Sequence, residues 1–107
     1  MIKINISKDY TEIPGPRKEE QGEYSGEDFR KKILIPKFKE CLESNEILEI
    51  NFDGCYGYPT SFLEEAFGGL AREYKNVNVL EKLQFISDEE PALIEEVKDY
   101  ILNANDK

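Results

Sequence analysis

The sequence contains no histidine and no tryptophan, and it has only two cysteines and one methionine among 107 residues. The absence of histidine excludes serine and cysteine nucleophiles that depend on a histidine base, histidine general bases and histidine metal ligands. An enzyme built from this chain would have to use carboxylates, lysine, tyrosine or cysteine. The composition therefore favours a binding protein over an enzyme.

Cysteine is too scarce for a secreted domain that depends on disulfides. Cys41 lies in a predicted helix and Cys55 in a predicted loop, so both are expected to be reduced thiols. Residues 1–6 alternate between polar and apolar and lack the apolar core of a signal peptide. No apolar run approaches the roughly 20 residues that span a bilayer. These features predict a cytoplasmic protein.

Basic residues are fewer than acidic ones: the chain has 14 lysines and arginines and 23 aspartates and glutamates, which gives a net charge of −9. This charge repels nucleic-acid phosphates and anionic lipid headgroups, so neither nucleic acid nor membrane is expected as a partner. The acidic clusters at 64–65, 88–90 and 95–96 lie at predicted helix starts or on exposed faces, where carboxylates favour the helix dipole and solubility. We therefore predict no metal and no cofactor.

The chain contains a series of short, periodic groups of apolar residues. They are numerous enough to form the hydrophobic core of a single domain over 1–107. An irregular segment is predicted over 7–24, with a short extra strand at 11–13. Ser25 then starts a helix that should kink or restart at Pro36 and end at 44–45. Strand one precedes these elements and is predicted from apolar residues in alternation: Ile2, Ile4 and Ile6.

The second half of the chain continues the alternation of strands and helices. A third strand is predicted between 77 and 86, followed by Ser87 and Asp88 as the cap of a final helix. The order β-α-β-α-β-α predicts an α/β fold with a mostly parallel or mixed sheet in the order one-two-three, with helices packed on it. Strand two is expected to be buried on both faces because it is a dense apolar run: Ile47, Leu48, Ile50 and Phe52.

The second helix is predicted to begin at Ser61, because Ser61-Phe-Leu-Glu64 has the Ser-x-x-Glu form of a capping box. Gly68 and Gly69 lie inside this helix, although each glycine costs roughly 1 kcal/mol against alanine there. Two explanations of the pair stay open: the glycines seat the helix on the sheet, or they admit a partner surface.

The loop that joins strand two to this helix holds the most specialised residues. The segment Asp53-Gly-Cys-Tyr-Gly-Tyr-Pro-Thr-Ser61 combines a carboxylate, two glycines, two tyrosines and two hydroxyls. In parallel α/β sheets ligands bind beyond the carboxyl ends of the strands, and strand two brings this loop to that edge. Arg17 is a further candidate, as a side chain for an anion at the helix start. The predicted binding residues are Arg17, Asp53, Tyr56, Tyr58, Thr60 and Ser61.

Five of these residues, all except Thr60, also have a purely structural explanation. Ser61 can act as a helix cap, and Asp53 can cap a turn of its own backbone. The tyrosines can cover the sheet edge, and Arg17 can be a solvated loop residue. Cys55 has no basic neighbour in the sequence that would stabilise a thiolate, which favours a packing role.

Residues 50–70, Ile-Asn-Phe-Asp-Gly-Cys-Tyr-Gly-Tyr-Pro-Thr-Ser-Phe-Leu-Glu-Glu-Ala-Phe-Gly-Gly-Leu, resemble the core motif of the STAS-like domains of unknown function. The earlier Ser25-Gly26-Glu27 and Phe29-Arg30 resemble the N-terminal motif of the same family. The resemblance implies a small STAS-like α/β domain.

The family is distantly similar to the STAS domains of anti-sigma-factor antagonists, in which a partner kinase phosphorylates a serine at a helix N-terminus. Ser61 is the matching hydroxyl in this chain and Thr60 is the fallback, so the resemblance implies phosphorylation there. The chain departs from that pattern, because Pro59-Thr60 replaces the acidic neighbour of the serine and Asp53 lies further upstream.

Two functions from different classes fit these residues. The first is a non-enzymatic regulatory or signalling domain that binds a protein through 53–61 and the second helix. A histidine-kinase-like ATPase and a transcription regulator are the expected kinds of partner. The second is a small nucleotide- or anion-binding protein or enzyme, with Asp53 as acid or base and the Ser61 helix N-terminus holding phosphate. The absence of a Gly-x-x-x-x-Gly-Lys loop and of histidine favours the first function.

Overall fold

Three short strands form one parallel sheet in the computed structural model, which describes residues 1–105. The strands are β1 (Ile2–Asn5), β2 (Leu48–Asn51) and β3 (Leu83–Ile86), and β2 lies between the other two. Ile50 is in register with Ile4 on one side and with Phe85 on the other. The predicted α/β class and strand order are therefore confirmed.

Four helices accompany the sheet within residues 1–105, apart from two short 3-10 turns. The first, α1 (Ile6–Asp9), is a single turn directly after β1, and α4 (Ala92–Leu102) is the last helix of the described residues. The two longest helices each contain a π-helical segment. Helix α2 covers 26–44 through Gly26–Phe29, the π-helical Arg30–Leu34 and Ile35–Ser44. Helix α3 covers 60–73 through Thr60–Leu63, the π-helical Glu64–Gly68 and Gly69–Glu73. Among residues 1–105, no helix has the length and apolar composition that a membrane crossing requires.

The central strand β2 buries apolar side chains on one face of the sheet and carries polar side chains on the other, so the expectation that β2 is buried on both faces is wrong. Leu48 and Ile50 are fully buried, whereas Glu49 and Asn51 point to the opposite face and remain partly exposed. Glu49 lies 3.9 Å from the ammonium group of Lys3 on that polar face. Successive strands in chain order with right-handed crossovers place the connecting helices on the same side, which leaves the other face open.

Several predicted boundaries shift because local hydrogen bonds compete with strand pairing. Ile6 leaves β1 to begin α1, and no strand forms at 11–13, where the Thr11 hydroxyl accepts from the Ile13 amide at 3.1 Å. Val79–Lys82 is a 3-10 turn that precedes β3. Helix α4 begins at Ala92 and not at the Ser87-Asp88 pair, because the Ser87 hydroxyl donates to the Glu90 carbonyl at 2.6 Å instead of capping.

The predicted limits of α2 are confirmed. The Ser25 hydroxyl accepts from the Asp28 amide at 2.9 Å, and the helix ends where Asn45 turns left-handed with φ of 55°. The helix does not restart at Pro36. The π-helical turn lies directly before this proline, and there the Ile35 amide donates to the Arg30 carbonyl. A wider turn accommodates a residue that lacks an amide and crowds the preceding turn.

Candidate functional site

The loop after β2 is fixed to the loop after β3 by a reciprocal set of hydrogen bonds. The Asp53 carboxylate accepts from the backbone amides of Asp88, at 3.2 Å, and Glu89, at 3.0 Å. In return, the Gly54 amide donates to the Glu89 carboxylate at 2.7 Å. The structural alternative for Asp53 was a cap of its own turn, but its carboxylate caps a different loop. The two loops therefore form one surface at the carboxyl edge of the sheet.

Tyr56 projects from this surface, with its residue 85% exposed. Its backbone amide donates to the carbonyl of Glu12 at 2.9 Å, which ties the loop to a third segment of the chain. The side chain is free to contact another molecule while its backbone is held. An exposed aromatic ring on a fixed loop is a common anchor for a protein partner.

Tyr58 has the opposite environment. It is half-buried, its hydroxyl donates to the Phe52 carbonyl at 2.8 Å, and its ring meets the Phe52 ring edge to face with centroids 5.5 Å apart. Burial, helped by the neighbouring Cys55 thiol, raises the pKa of the Tyr58 phenol far above its usual value. Tyr58 therefore covers the sheet edge as a neutral phenol and shapes the loop.

Cys55 is half-buried beside Tyr58, with 3.0 Å between its sulfur and the phenol oxygen and 3.3 Å to the Thr11 carbonyl. Burial raises the pKa of the Cys55 thiol and outweighs the opposing hydrogen bond from Tyr58. The thiol is therefore protonated near neutral pH, and a thiolate nucleophile is disfavoured.

A groove of about 170 Å³ opens between the two clamped loops, lined by residues from 52–58 and 87–93. We call it the sheet-edge groove. Phe52 and Leu93 are almost fully buried and form its base, while Tyr56, Glu89 and Glu90 are exposed at its opening. Among residues 1–105, no group of three or more cysteine, aspartate and glutamate side chains could hold a metal ion.

The two predicted hydroxyl residues do not line this groove, and the predicted capping box at Ser61 does not form. Helix α3 begins one residue earlier, at Thr60, and its N-cap is Pro59, which has no side chain that can accept from the first turn. Ser61 is thus the second helical residue and is half-buried, while Thr60 is exposed. The cap interpretation of Ser61 is wrong because Pro59, with φ of −59° and ψ of 138°, fixes the entry into the helix.

Arg17 lies apart from the groove, as a partner for carboxylates of the same chain. Its guanidinium group donates to Glu64 at 2.5 Å and lies 3.4 Å from Glu65. Two carboxylates already engage this cation. The structure therefore brings together Asp53, Tyr56 and Tyr58 and places Arg17 elsewhere.

A family model described as the STAS-like domain of unknown function (DUF4325) matches residues 25–92. The chain belongs to this STAS-like family. Neither the curated proteins nor the solved structures contain a match to the chain. The matched residues of this STAS-like domain include α2, β2, α3 and β3, together with both loops of the sheet-edge groove.

The N-terminal motif of the STAS-like domain packs directly against α3. A Cβ atom on Gly26 would lie 2.5 Å from the backbone oxygen of Phe62, so only glycine allows the start of α2 to approach so closely. Phe29 stacks on Phe62 with ring centroids 5.7 Å apart. The two motifs quoted from the sequence therefore form one helix-helix interface in the fold.

The sequence did not indicate that Arg30 and Glu65 form a buried ion pair across this interface. Their side chains are 10% and 7% exposed, and the Arg30 guanidinium donates to the Glu65 carboxylate at 2.5 Å and to its backbone carbonyl at 2.7 Å. Arg30 Nε, which has no hydrogen-bond partner of good geometry among the described residues, lies 3.3 Å from Glu73. Each partner comes from a π-helical segment.

Charged side chains occupy the space beside both glycines inside α3. A Cβ atom on Gly69 would collide with Nη1 of Arg30 and lie 3.0 Å from its Cδ, whereas one on Gly68 would collide with Glu64. The glycines therefore make room for a buried arginine and for a carboxylate within its own helix. Neither expected explanation, seating on the sheet or contact with a partner, is needed.

Proposed function

We propose that this STAS-like domain is a non-enzymatic regulatory domain that binds a protein partner at the sheet-edge groove. The observation that carries the proposal is the 85% exposed ring of Tyr56 on a loop whose backbone is bonded to two other segments. Truncating such an aromatic anchor in an interface typically costs more than 2 kcal/mol of binding energy. A loop that is already ordered also loses little entropy when it binds.

The ionisable groups of the groove support binding over catalysis. The pKa values of the Tyr58 phenol and the Cys55 thiol are both raised by burial, so neither is prepared to act as a base or a nucleophile near neutral pH. Asp53 is occupied by two backbone amides. The nucleotide-binding alternative gains little support, because Ser61 does not line the groove and the groove is smaller than the roughly 300 Å³ typical of small-molecule sites.

A comparative affinity capture tests this function. The wild-type domain, Tyr56→Ala and Leu102→Ala are immobilised separately and exposed to lysate of the native cell. Leu102 is the control, because it is a 65% exposed apolar residue at the end of α4. We expect one protein, of the histidine-kinase-like ATPase or transcription-regulator type, to be retained by the wild type and by Leu102→Ala and to be reduced roughly tenfold or more by Tyr56→Ala. A domain that retains a small molecule and no protein would contradict the proposal.

The proposed switch is phosphorylation at Ser61, with Thr60 as the second candidate. Both lie in the first turn of α3, where added negative charge is favourable to the helix by about 0.3 to 1 kcal/mol. Folding is therefore preserved, and only partner affinity should respond to the charge. Titration calorimetry of the captured partner with wild type, Ser61→Ala and Ser61→Asp tests this step. Three equal affinities would remove the switch from the proposal.

A further inference from the structure

We propose that the sheet-edge groove receives a single cationic side chain, arginine or lysine, from a basic segment of the partner. This inference rests on the proposed function and specifies the chemistry of the partner. Its basis is the groove itself: an apolar base of Phe52 and Leu93, an exposed aromatic ring at the opening, and a volume of about 170 Å³. The negative charge of the carboxylates around the opening favours a cation as the occupant.

The size of the groove suits one side chain. Sites for small molecules usually enclose about 300 to 1,000 Å³, so a nucleotide would leave most of its surface outside this groove. A long side chain with an apolar stem can place that stem against Phe52 and Leu93 while its charged end stays near the opening. Arginine and lysine have this construction.

The charge around the opening fits a cation. Glu89 and Glu90 line the groove with Asp53, while Asp88 and Glu12 belong to the segments that are hydrogen-bonded to it. Within residues 1–105, none of these five carboxylates forms an ion pair with a lysine or arginine. The resulting negative potential attracts a basic segment and repels phosphate.

The acidic pair of α3, Glu64 and Glu65, is by contrast balanced by basic side chains of the same chain. Glu65 alone has Arg17, Lys18 and Arg30 within 3.4 Å, and Glu64 contacts both Arg17 and Arg72. At the groove, no lysine or arginine within residues 1–105 supplies such a charge, so a cation from a partner can do so. Tyr56 adds a ring face at the opening, and a guanidinium group placed over such a face gains cation–π attraction.

Two capped tripeptides, acetyl-Ala-Arg-Ala-amide and its citrulline analogue, test the inference by chemical-shift titration of the ¹⁵N-labelled domain. The analogue keeps the shape of arginine and lacks the charge. We expect the arginine peptide to give saturable shifts at the amides of Gly54, Gly57 and Glu89, with a Kd on the order of millimolar. The citrulline peptide should leave these amides unchanged.

Two carboxylate variants locate the charge effect. Glu90→Gln should weaken binding of the arginine peptide roughly two- to fivefold, because one exposed charge at the opening is lost. Glu95→Gln is the control on the exposed surface of α4 and should leave the Kd unchanged. Shifts spread over all acidic surfaces, equal binding of the citrulline peptide, or no saturable shift would overturn the inference.

The same experiments separate the two proposals. If Tyr56→Ala abolishes capture of the partner but the arginine peptide gives no saturable shift, the inference of a cationic occupant is overturned. The proposed protein-binding function is then retained. Capture that is unchanged by Tyr56→Ala would overturn the function itself.

Discussion

Replacing Glu65 by glutamine should destabilise the domain by about 3 kcal/mol, even though the change is nearly isosteric. Glu65 is 7% exposed and receives the Arg30 guanidinium at 2.5 Å, so solvent screens this pair weakly. Removing one partner from a buried pair typically costs about 3 to 5 kcal/mol, since the remaining charge stays buried. The low end applies because the glutamine oxygen still accepts from Arg30 and because Glu73 lies 3.3 Å from Nε of that arginine.

The pH dependence of the same variant gives an independent check. Burial raises the pKa of the Glu65 carboxyl, but the hydrogen bond and charge of Arg30 outweigh it, so the pKa in the folded state lies below the usual 4.5. A carboxylate with a lowered pKa contributes stability that is present above the unfolded pKa and lost as the pH falls through the folded pKa. The difference between wild type and Glu65→Gln should therefore be complete at pH 7 and shrink below about pH 4.

Urea unfolding and thermal melting measure this effect. A loss of about 3 kcal/mol should lower the Tm by roughly 10 °C or more in a domain of this size. Glu95→Gln is the control, because the Glu95 side chain is 79% exposed and lies 3.9 Å from Lys98, and it should change stability by less than about 0.5 kcal/mol. The buried ion pair is not a major stabilising contact if Glu65→Gln has the same Tm as the control. The same conclusion follows if its loss of stability relative to wild type does not depend on pH.

Four further substitutions test the packing and the helix starts. Gly26→Ala should destabilise by about 1 to 3 kcal/mol in urea, since its Cβ would meet the backbone of Phe62 at 2.5 Å, and an equal or higher midpoint would contradict the close contact. Ser25→Ala should lose about 1 kcal/mol or more, whereas Ser61→Ala should lose less than about 0.5 kcal/mol, and equal losses would show that Ser61 caps after all. Ile50→Asp should abolish cooperative unfolding by circular dichroism, because it places an unpaired carboxylate in a fully buried position, and a cooperative melt would show that β2 is misassigned.

Local sequence signals predicted the ends of a helix correctly where a neighbouring side chain or turn satisfies the hydrogen bonds of the backbone at that end. The hydroxyl of Ser25 and the turn at Asn45 define α2 as the sequence indicates. At Ser61 the same kind of signal fails, because Pro59 is the N-cap and the helix begins at Thr60, one residue before Ser61. The third strand lies within the predicted range 77–86 but occupies only its end, since strand pairing with β2 begins at Leu83.

The sequence patterns did not predict the contacts between segments that are distant along the chain. The glycine pair in α3 indicated a close approach, but nothing nearby identified Arg30 as the group that fills the space. The loop from Asp53 was correctly placed at the carboxyl edge of the sheet. The contribution of Glu89 was missed, although a signal existed: its acidic cluster directly follows the neighbouring parallel strand, β3, which ends at the same edge.

Chemical-shift mapping of the ¹⁵N-labelled domain with its purified partner tests the central claim most directly. Binding at the sheet-edge groove predicts that the perturbed amides cluster at 53–58 and 87–91, and that Tyr56→Ala removes the perturbation. The main competing surface is the open polar face of the sheet, where Lys3 and Gln84 are exposed. Perturbations centred on Lys3, Glu49 and Gln84, with the groove amides unchanged, would contradict the account.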